Sequence, residues 1–279
     1  MEQVIATTPA GRWQQRIEAV PPLAWLALQA AALWTHWRWA AARVADGSDD
    51  PLGFAALAAL LWLIARLAPD LRGTPRPGWL ATALLLSLAA TVGVFVAPPL
   101  VGALFAALAL VCGLHAFMPA GRASAPLVGL AVLALPLVSS LQFYAGYPLR
   151  VLTAQLSTWA LQLGGVAAVR SGGTMTVEGR LVIVDAPCSG VQMVWMAYFT
   201  ACAVAAFTGL CDRRFLARLP WVGLVVLAGN VLRNSVLVLL EARQSAVPQA
   251  VHELIGLLVL AMACGAVVAL MRGERDDTR

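Results

Sequence analysis

Membrane-length apolar runs, broken by short polar stretches that collect arginine, recur along this chain and leave no room for an ordinary soluble core. A bilayer-spanning helix needs about 20 mostly apolar residues. Eight stretches meet that requirement: 23–41, 52–68, 78–97, 100–118, 126–146, 189–210, 219–240 and 250–271. Charged residues make up only 12% of the chain, against roughly 25% in a soluble domain. The expected fold is an all-α polytopic membrane protein of about eight transmembrane helices in the lipid bilayer of a cytoplasmic (inner) membrane. The first run is the least regular, because His36 and Arg38 interrupt it and Trp25, Trp34, Trp37 and Trp39 suit a headgroup boundary. The second is short and ends in Arg66.

The loops orient the spans. Arg12 and Arg16 precede the first run, Arg72 and Arg76 follow the second, and Arg122 follows the fourth. Arg213, Arg214 and Arg218 separate the sixth from the seventh, and Arg272, Arg275 and Arg279 close the chain. With eight spans all of these share one face, which the positive-inside rule makes cytoplasmic, together with both termini. Asp46, Asp49, Asp50, Glu178, Asp185, Glu241 and Glu253 fall on the other face. The net charge of +5 is scattered between apolar runs, so no nucleic-acid partner is expected. The first twenty residues are too polar for a signal peptide, so the first span is expected to be retained.

The one long connection, 142–187, faces outward on this topology. Residues 150–169 place Val151, Leu152, Leu156, Trp159, Ala160 and Leu163 at helical spacing, which predicts a short amphipathic or partly re-entrant helix ended by Gly164-Gly165. Residues 174–177 and 180–184, joined by Glu178-Gly179, predict a small extracytoplasmic β-hairpin. Its second strand leads through Asp185 and Pro187 to Cys188. Ser189 followed by Gln192 fits a capping box that starts a helix just after Cys188; alternatively Pro187 takes the first helical position.

Five cysteines are present, with no CxxC pair and no cluster of histidines, so neither a disulfide framework nor a metal site is expected, and no cofactor. Cys112, Cys202, Cys211 and Cys264 lie in or beside apolar runs and read as small buried residues. Cys188 differs. It stands at a water-facing helix start, where a helix dipole or a nearby cation favours the nucleophilic thiolate. Arg233 lies about seven residues, roughly 10 Å, inside the outer end of the seventh run. Such a charge costs about 2.5–3.5 kcal/mol near a helix centre, so it either snorkels to the interface or faces a cavity where it can hold an oxyanion. Asn230, one turn earlier, can orient it, and Asn234 suits a helix–helix hydrogen bond. His252, in the first turn of the last run, is placed to be neutral and to accept a proton. Glu253 completes His-Glu-Leu-Ile-Gly, half of a zinc motif, but no second His follows at the required spacing. His36 and His115 read as structural.

These residues resemble the exosortase/archaeosortase family of multi-pass membrane transpeptidases. The resemblance covers the C-terminal half, from Leu135-Pro136-Leu137 through Phe143-Tyr144-Ala145-Gly146-Tyr147-Pro148-Leu149-Arg150 to Gly256, and rests on Pro-Cys-Ser-Gly at 187–190, Asn-x-x-Arg at 230–233, and His252. The proline before Cys-Ser-Gly and Asn234 after Arg233 depart from many members. The resemblance implies Cys188 as nucleophile, His252 as acid/base partner and Arg233 as oxyanion stabiliser, with Asn230, Asp185 and Ser189 in support. It implies as substrates exported proteins that end in a short sorting motif such as Pro-Glu-Pro, a transmembrane helix and a basic tail. The organisation then expected is four N-terminal helices (1–125), a catalytic core (126–271) with its outer segment at 147–187, and a cytoplasmic tail (272–279). Two rival readings exist: a transporter binding an anionic solute at Arg233, for which internal repeats between the halves are expected and none is visible, and a non-enzymatic assembly factor for an exopolysaccharide or export system.

Overall fold

The computed structural model describes residues 20–183, 190–243 and 247–272. Cys188, with Asp185 and Ser189, falls outside the described residues.

Proline sets several helix starts, because its missing N–H and fixed φ suit the first turn. It opens α1 (Pro22–Ala32), α4 (Pro77–Val96) and α5 (Pro99–Phe117). The first apolar run is not one helix. It breaks at Leu33 (φ −94°, ψ 19°) into α1 and α2 (Trp34–Ala45), and α2 packs the buried His36 onto Gly102 of α5, where a Cβ would lie 2.7 Å from the ring. Next come α3 (Gly53–Leu67), lengthened by a 3-10 turn at Ala68–Asp70, and then α4 and α5. Beyond the sheet follow α8 (Val191–Thr208), α9 (Asp212–Arg243) and α10 (Gln249–Met271).

The largest departure from expectation lies in the middle of the chain. The run 126–146 is not a span followed by a separate outer helix. It is a nine-residue helix, α6 (Ala125–Leu133), then a 26-residue helix, α7 (Val138–Leu163), turned 96° away from it. Pro136 explains the break locally, since it offers no N–H and disfavours helical geometry at Leu135. Contacts distant in sequence hold the turn. Ser139 N donates to Asp49 Oδ1 at 3.3 Å and Ser139 Oγ to the Ser48 carbonyl at 2.6 Å. The far end of α6 is capped by the Asp212 carboxylate, which accepts from Ser124 N (2.9 Å) and Ala125 N (2.8 Å). Among the described residues, six helices are therefore long and apolar enough to cross a membrane, or seven with α6 and α7 counted as one span, rather than eight.

After Gly164 and Gly165 the chain forms a three-stranded antiparallel sheet in the order β1 (Ala168–Ser171), β2 (Thr174–Val177), β3 (Arg180–Ile183). The expected hairpin is β2–β3, with Val177 opposite Arg180 and Glu178 and Gly179 both at positive φ, as a tight two-residue turn demands. The sequence did not announce β1, which pairs Ser171 with Thr174 across Gly172-Gly173.

Two cores result. The main one runs through the helical bundle around Leu114, Leu130, Trp195, Val222 and Met271. A second, smaller one joins Ala154 and Leu161 of α7 to Ala168, Met175 and Val177 of the sheet and to Val238 and Ala242 of α9. Hence α9 is not a plain span ending near 240. Its 32 residues rise about 48 Å, well beyond a ~30 Å hydrocarbon layer, and its last turns serve the sheet-bearing cap. At the other end of the bundle the arginines gather: Arg122 pairs with Asp70 at 2.8 Å, Arg76 donates to the Met118 and Pro119 carbonyls, and Arg218 donates to the Leu270 carbonyl.

Candidate functional site

The junction between bundle and cap is where α9 meets three other elements. Asn230 is 3% exposed and its Nδ2 donates to Thr153 Oγ1 of α7 at 2.9 Å. Ser157, one turn further along α7, donates to the Val231 carbonyl at 3.3 Å. Gly190, the residue that caps α8, presses against the same asparagine. It sits at φ +79°, and a Cβ there would lie 2.8 Å from Asn230 Cγ and Nδ2. Only glycine meets both conditions. The helix starts at Val191, with Gly190 at its mouth. Gln192 does not close a capping box; its Nε2 donates to Asp50 Oδ2 at 3.2 Å instead.

One turn beyond Asn230, the half-buried Arg233 lays its guanidinium against α10. A Cβ added to Gly256 would lie 3.3 Å from Nε and 3.5 Å from Cζ and Nη2. Gly256 stands four residues after His252, so the two share a helix face and the cation lies one turn from the imidazole. Arg233 lies ten residues before the end of α9 and one turn past Asn230, where α9 meets the start of α8, so it sits near the junction of bundle and cap.

His252 Nδ1 lies 4.0 Å from Glu241 Oε1, with both side chains about a third exposed (32% and 36%). Glu241 projects from α9 about two turns past Arg233, so one helix supplies both the cation and the carboxylate that flank the histidine. Glu253 is engaged on its own helix, accepting from Gln249 Nε2 at 2.9 Å. Asn234 does not bond another helix. Its Nδ2 donates to Met175 Sδ of β2 at 3.6 Å, which pins α9 to the sheet.

Of the residues singled out in the sequence, the structure brings together Asn230, Arg233 and His252, with Gly190 marking where the Cys188 segment enters. Cys188, Asp185 and Ser189 themselves lie outside the described residues. Sequence reasoning missed Thr153, Gly190, Gly256 and Glu241 as members of this cluster. The signals were present but faint: a glycine one helical turn after His252, and a carboxylate shortly before it. His115 packs edge-on against Trp79 (4.3 Å between ring centres) and His36 against Gly102, both apart from this cluster. Cys202 is buried and Cys112 and Cys264 are half-buried, whereas Cys211 is exposed at the α8–α9 turn, contrary to its expected burial. Two cavities lie away from the junction. One is an apolar groove of about 530 Å³ between α1–α3 and α5–α6, and the other is a recess of about 260 Å³ beside Arg66, Asp70 and Arg122.

The model of one protein family, described as transmembrane exosortase (Exosortase_EpsH), matches residues 25–269. No curated protein and no solved structure matches the chain. The family match takes in the N-terminal helices that the motifs alone left out. With a polytopic helical bundle, a cap at the junction of α7, α9 and α10, and a match over most of its length, this chain belongs to the transmembrane exosortase family.

Proposed function

We propose that this exosortase is a membrane cysteine protease/transpeptidase that cleaves the C-terminal sorting signal of exported proteins on the extracytoplasmic face. Cys188 is the nucleophile, His252 the acid/base and Arg233 the oxyanion stabiliser. One observation carries the reading: the Arg233 guanidinium rests on Gly256, one turn from His252, while Gly190 packs on Asn230, one turn from Arg233. Two residues of chain reach at most ~7 Å, so Cys188 needs no long excursion from Gly190 to meet that pair. Family membership supports a membrane transpeptidase at the coarser level.

In the proposed reaction His252 takes the Cys188 proton and the thiolate sulfur attacks the scissile carbonyl carbon. The carbonyl electron pair moves to oxygen, and the fixed charge and forked donors of Arg233 hold that oxyanion. Collapse breaks the C–N bond, His252 returns its proton to the leaving amine, and a thioester remains. An acceptor nucleophile or water then attacks the thioester, gives its proton to His252 and releases Cys188. Asn230 braces the turn of α9 that carries Arg233 through its bond to Thr153, and Glu241 orients the imidazole from 4.0 Å. Asp185 and Ser189 flank the nucleophile. The substrate carries a short motif, a transmembrane helix and a basic tail, and the residues 126–271 form the catalytic core.

The test is Cys188→Ala in a strain expressing a candidate substrate. The expected result is accumulation of uncleaved substrate and loss of any hydroxylamine-sensitive acyl adduct, with membrane insertion unchanged. Processing at the wild-type rate in that variant overturns the assignment.

A further inference from the structure

The sequence puts the start of α7 in a span and the rest in an outer amphipathic or partly re-entrant helix, but its neighbours fix its depth. Near its start, Ser139 bonds Asp49 and Ser48, in the loop just before α3. Fourteen residues on, Thr153 bonds Asn230, the side chain on which Gly190 packs just before α8 begins. Gln192 in the first turn of α8 bonds Asp50, which places the starts of α3 and α8 at one level. Along this length α7 therefore keeps the level at which those two helices begin. It neither crosses the bundle nor dips into it.

Its two faces are the reverse of those on a water-bathed helix. The buried side is mostly small and polar (Thr153, Ala154, Ser157 and Thr158), with Leu161 its large apolar member, against α9 and the sheet. The opposite side repeats Pro148, Leu152, Leu156, Trp159 and Leu163 at intervals of four, four, three and four residues. Trp159 is 54% exposed and Leu163 91%. Tyr144 and Tyr147 are exposed nearer the start, with the Arg150 guanidinium 5.9 Å from the Tyr147 ring centre. Tyrosine, tryptophan and arginine around an aliphatic stripe match the headgroup boundary of a bilayer.

We propose that α7 is an interfacial helix, lying in the plane of the membrane with the Leu152–Trp159–Leu163 stripe bedded in the leaflet on the sheet side. The occupant of this surface is lipid. Because the other face of the same helix bonds Asn230 and Val231, the Arg233–His252 junction is held at the headgroup level, where a peptide emerging from the bilayer first becomes accessible. The placement of α7 holds whatever the role of Cys188.

The experiment uses the full-length chain, with its five cysteines replaced by alanine, in nanodiscs of phosphatidylethanolamine and phosphatidylglycerol. A nitroxide is attached at position 152, 159 or 163, with reference labels at Gly173 in the β1–β2 turn and Leu257 on the exposed face of α10. The expected result is that all three α7 labels collide with oxygen several-fold more than with a nickel chelate, giving a depth between the two references. Three outcomes overturn the proposal: nickel access equal to that at 173 (a helix in water), a depth equal to that at 257 (a re-entrant segment), or shielding from both reagents (cover by a second copy or another protein). Photolabelling of the unmodified protein with a carbene-generating phospholipid gives a second reading free of substitutions. Peptides covering 144–163 should carry the label, and an unlabelled α7 beside labelled α4 and α10 also overturns the proposal.

Discussion

Gly190→Ala tests the junction most directly, because two penalties can be worked from the geometry. Gly190 has φ +79°, and an L-residue in that left-handed region costs about 1–2 kcal/mol. The added Cβ would lie 2.8 Å from Asn230 Cγ and Nδ2 and 3.1 Å from Oδ1, closer than real side chains approach. Asn230 is 3% exposed and bonded to Thr153, so it cannot swing into solvent. Overpacking of this kind costs about 1–3 kcal/mol, bringing the substitution to roughly 2–5 kcal/mol. Asn230→Ala removes the obstacle but leaves the buried Thr153 hydroxyl without its amide donor, which costs about 1–3 kcal/mol. In the double variant the clash disappears while the backbone penalty stays. The two substitutions should therefore couple favourably, with the pair about 1–3 kcal/mol less destabilising than the sum of the singles. Reversible unfolding in mixed detergent micelles, followed by circular dichroism, measures all four corners of the cycle. Strictly additive losses would mean that Gly190 does not rest on Asn230, and the tie between the Cys188 segment and Arg233 would be lost with it.

Two further outcomes follow from the same structure. Glu241→Gln should slow substrate processing by between about 1.4-fold and fivefold, because a pair 4.0 Å apart and a third exposed is worth only ~0.2–1 kcal/mol. Glu241→Asp should recover part of the rate, and initial rates unaffected by either change would remove Glu241 from the site. Asp212→Ala should destabilise the bundle by about 1–2 kcal/mol in the same unfolding assay, since the carboxylate accepts from Ser124 N and Ala125 N at the start of α6; an unaltered unfolding midpoint contradicts that capping role.

Much of the candidate site is legible in the sequence, because chemistry that is costly in an apolar run stands out there. Arg233 and His252 are conspicuous for that reason, and the structure packs Arg233 on Gly256, one helical turn after His252. Asn230 was legible only as a neighbour of Arg233 in sequence; its partners Thr153 and Gly190 belong to other elements and leave no local trace. The capping box rests partly on Ser189, which lies outside the described residues; its expected partner Gln192 bonds Asp50, 142 positions away, a contact no local pattern announces. Asn234 was assigned to a neighbouring helix because sequence spacing cannot anticipate a sheet folded back onto α9.

From its residues alone the chain is committed to a polytopic helical membrane protein with arginines gathered at one end, because apolar length and loop charge act through composition and need no partner. Direction and depth are different quantities. Hydropathy adds up along a run whether or not the helix turns within it, so 126–146 looked like a span although it joins α6 to the first turns of α7. The 96° turn into α7 was decided by Pro136 together with Asp49, ninety residues away. Tertiary packing likewise set the neighbours of Arg233, since they depend on where α7, α8 and α10 meet α9.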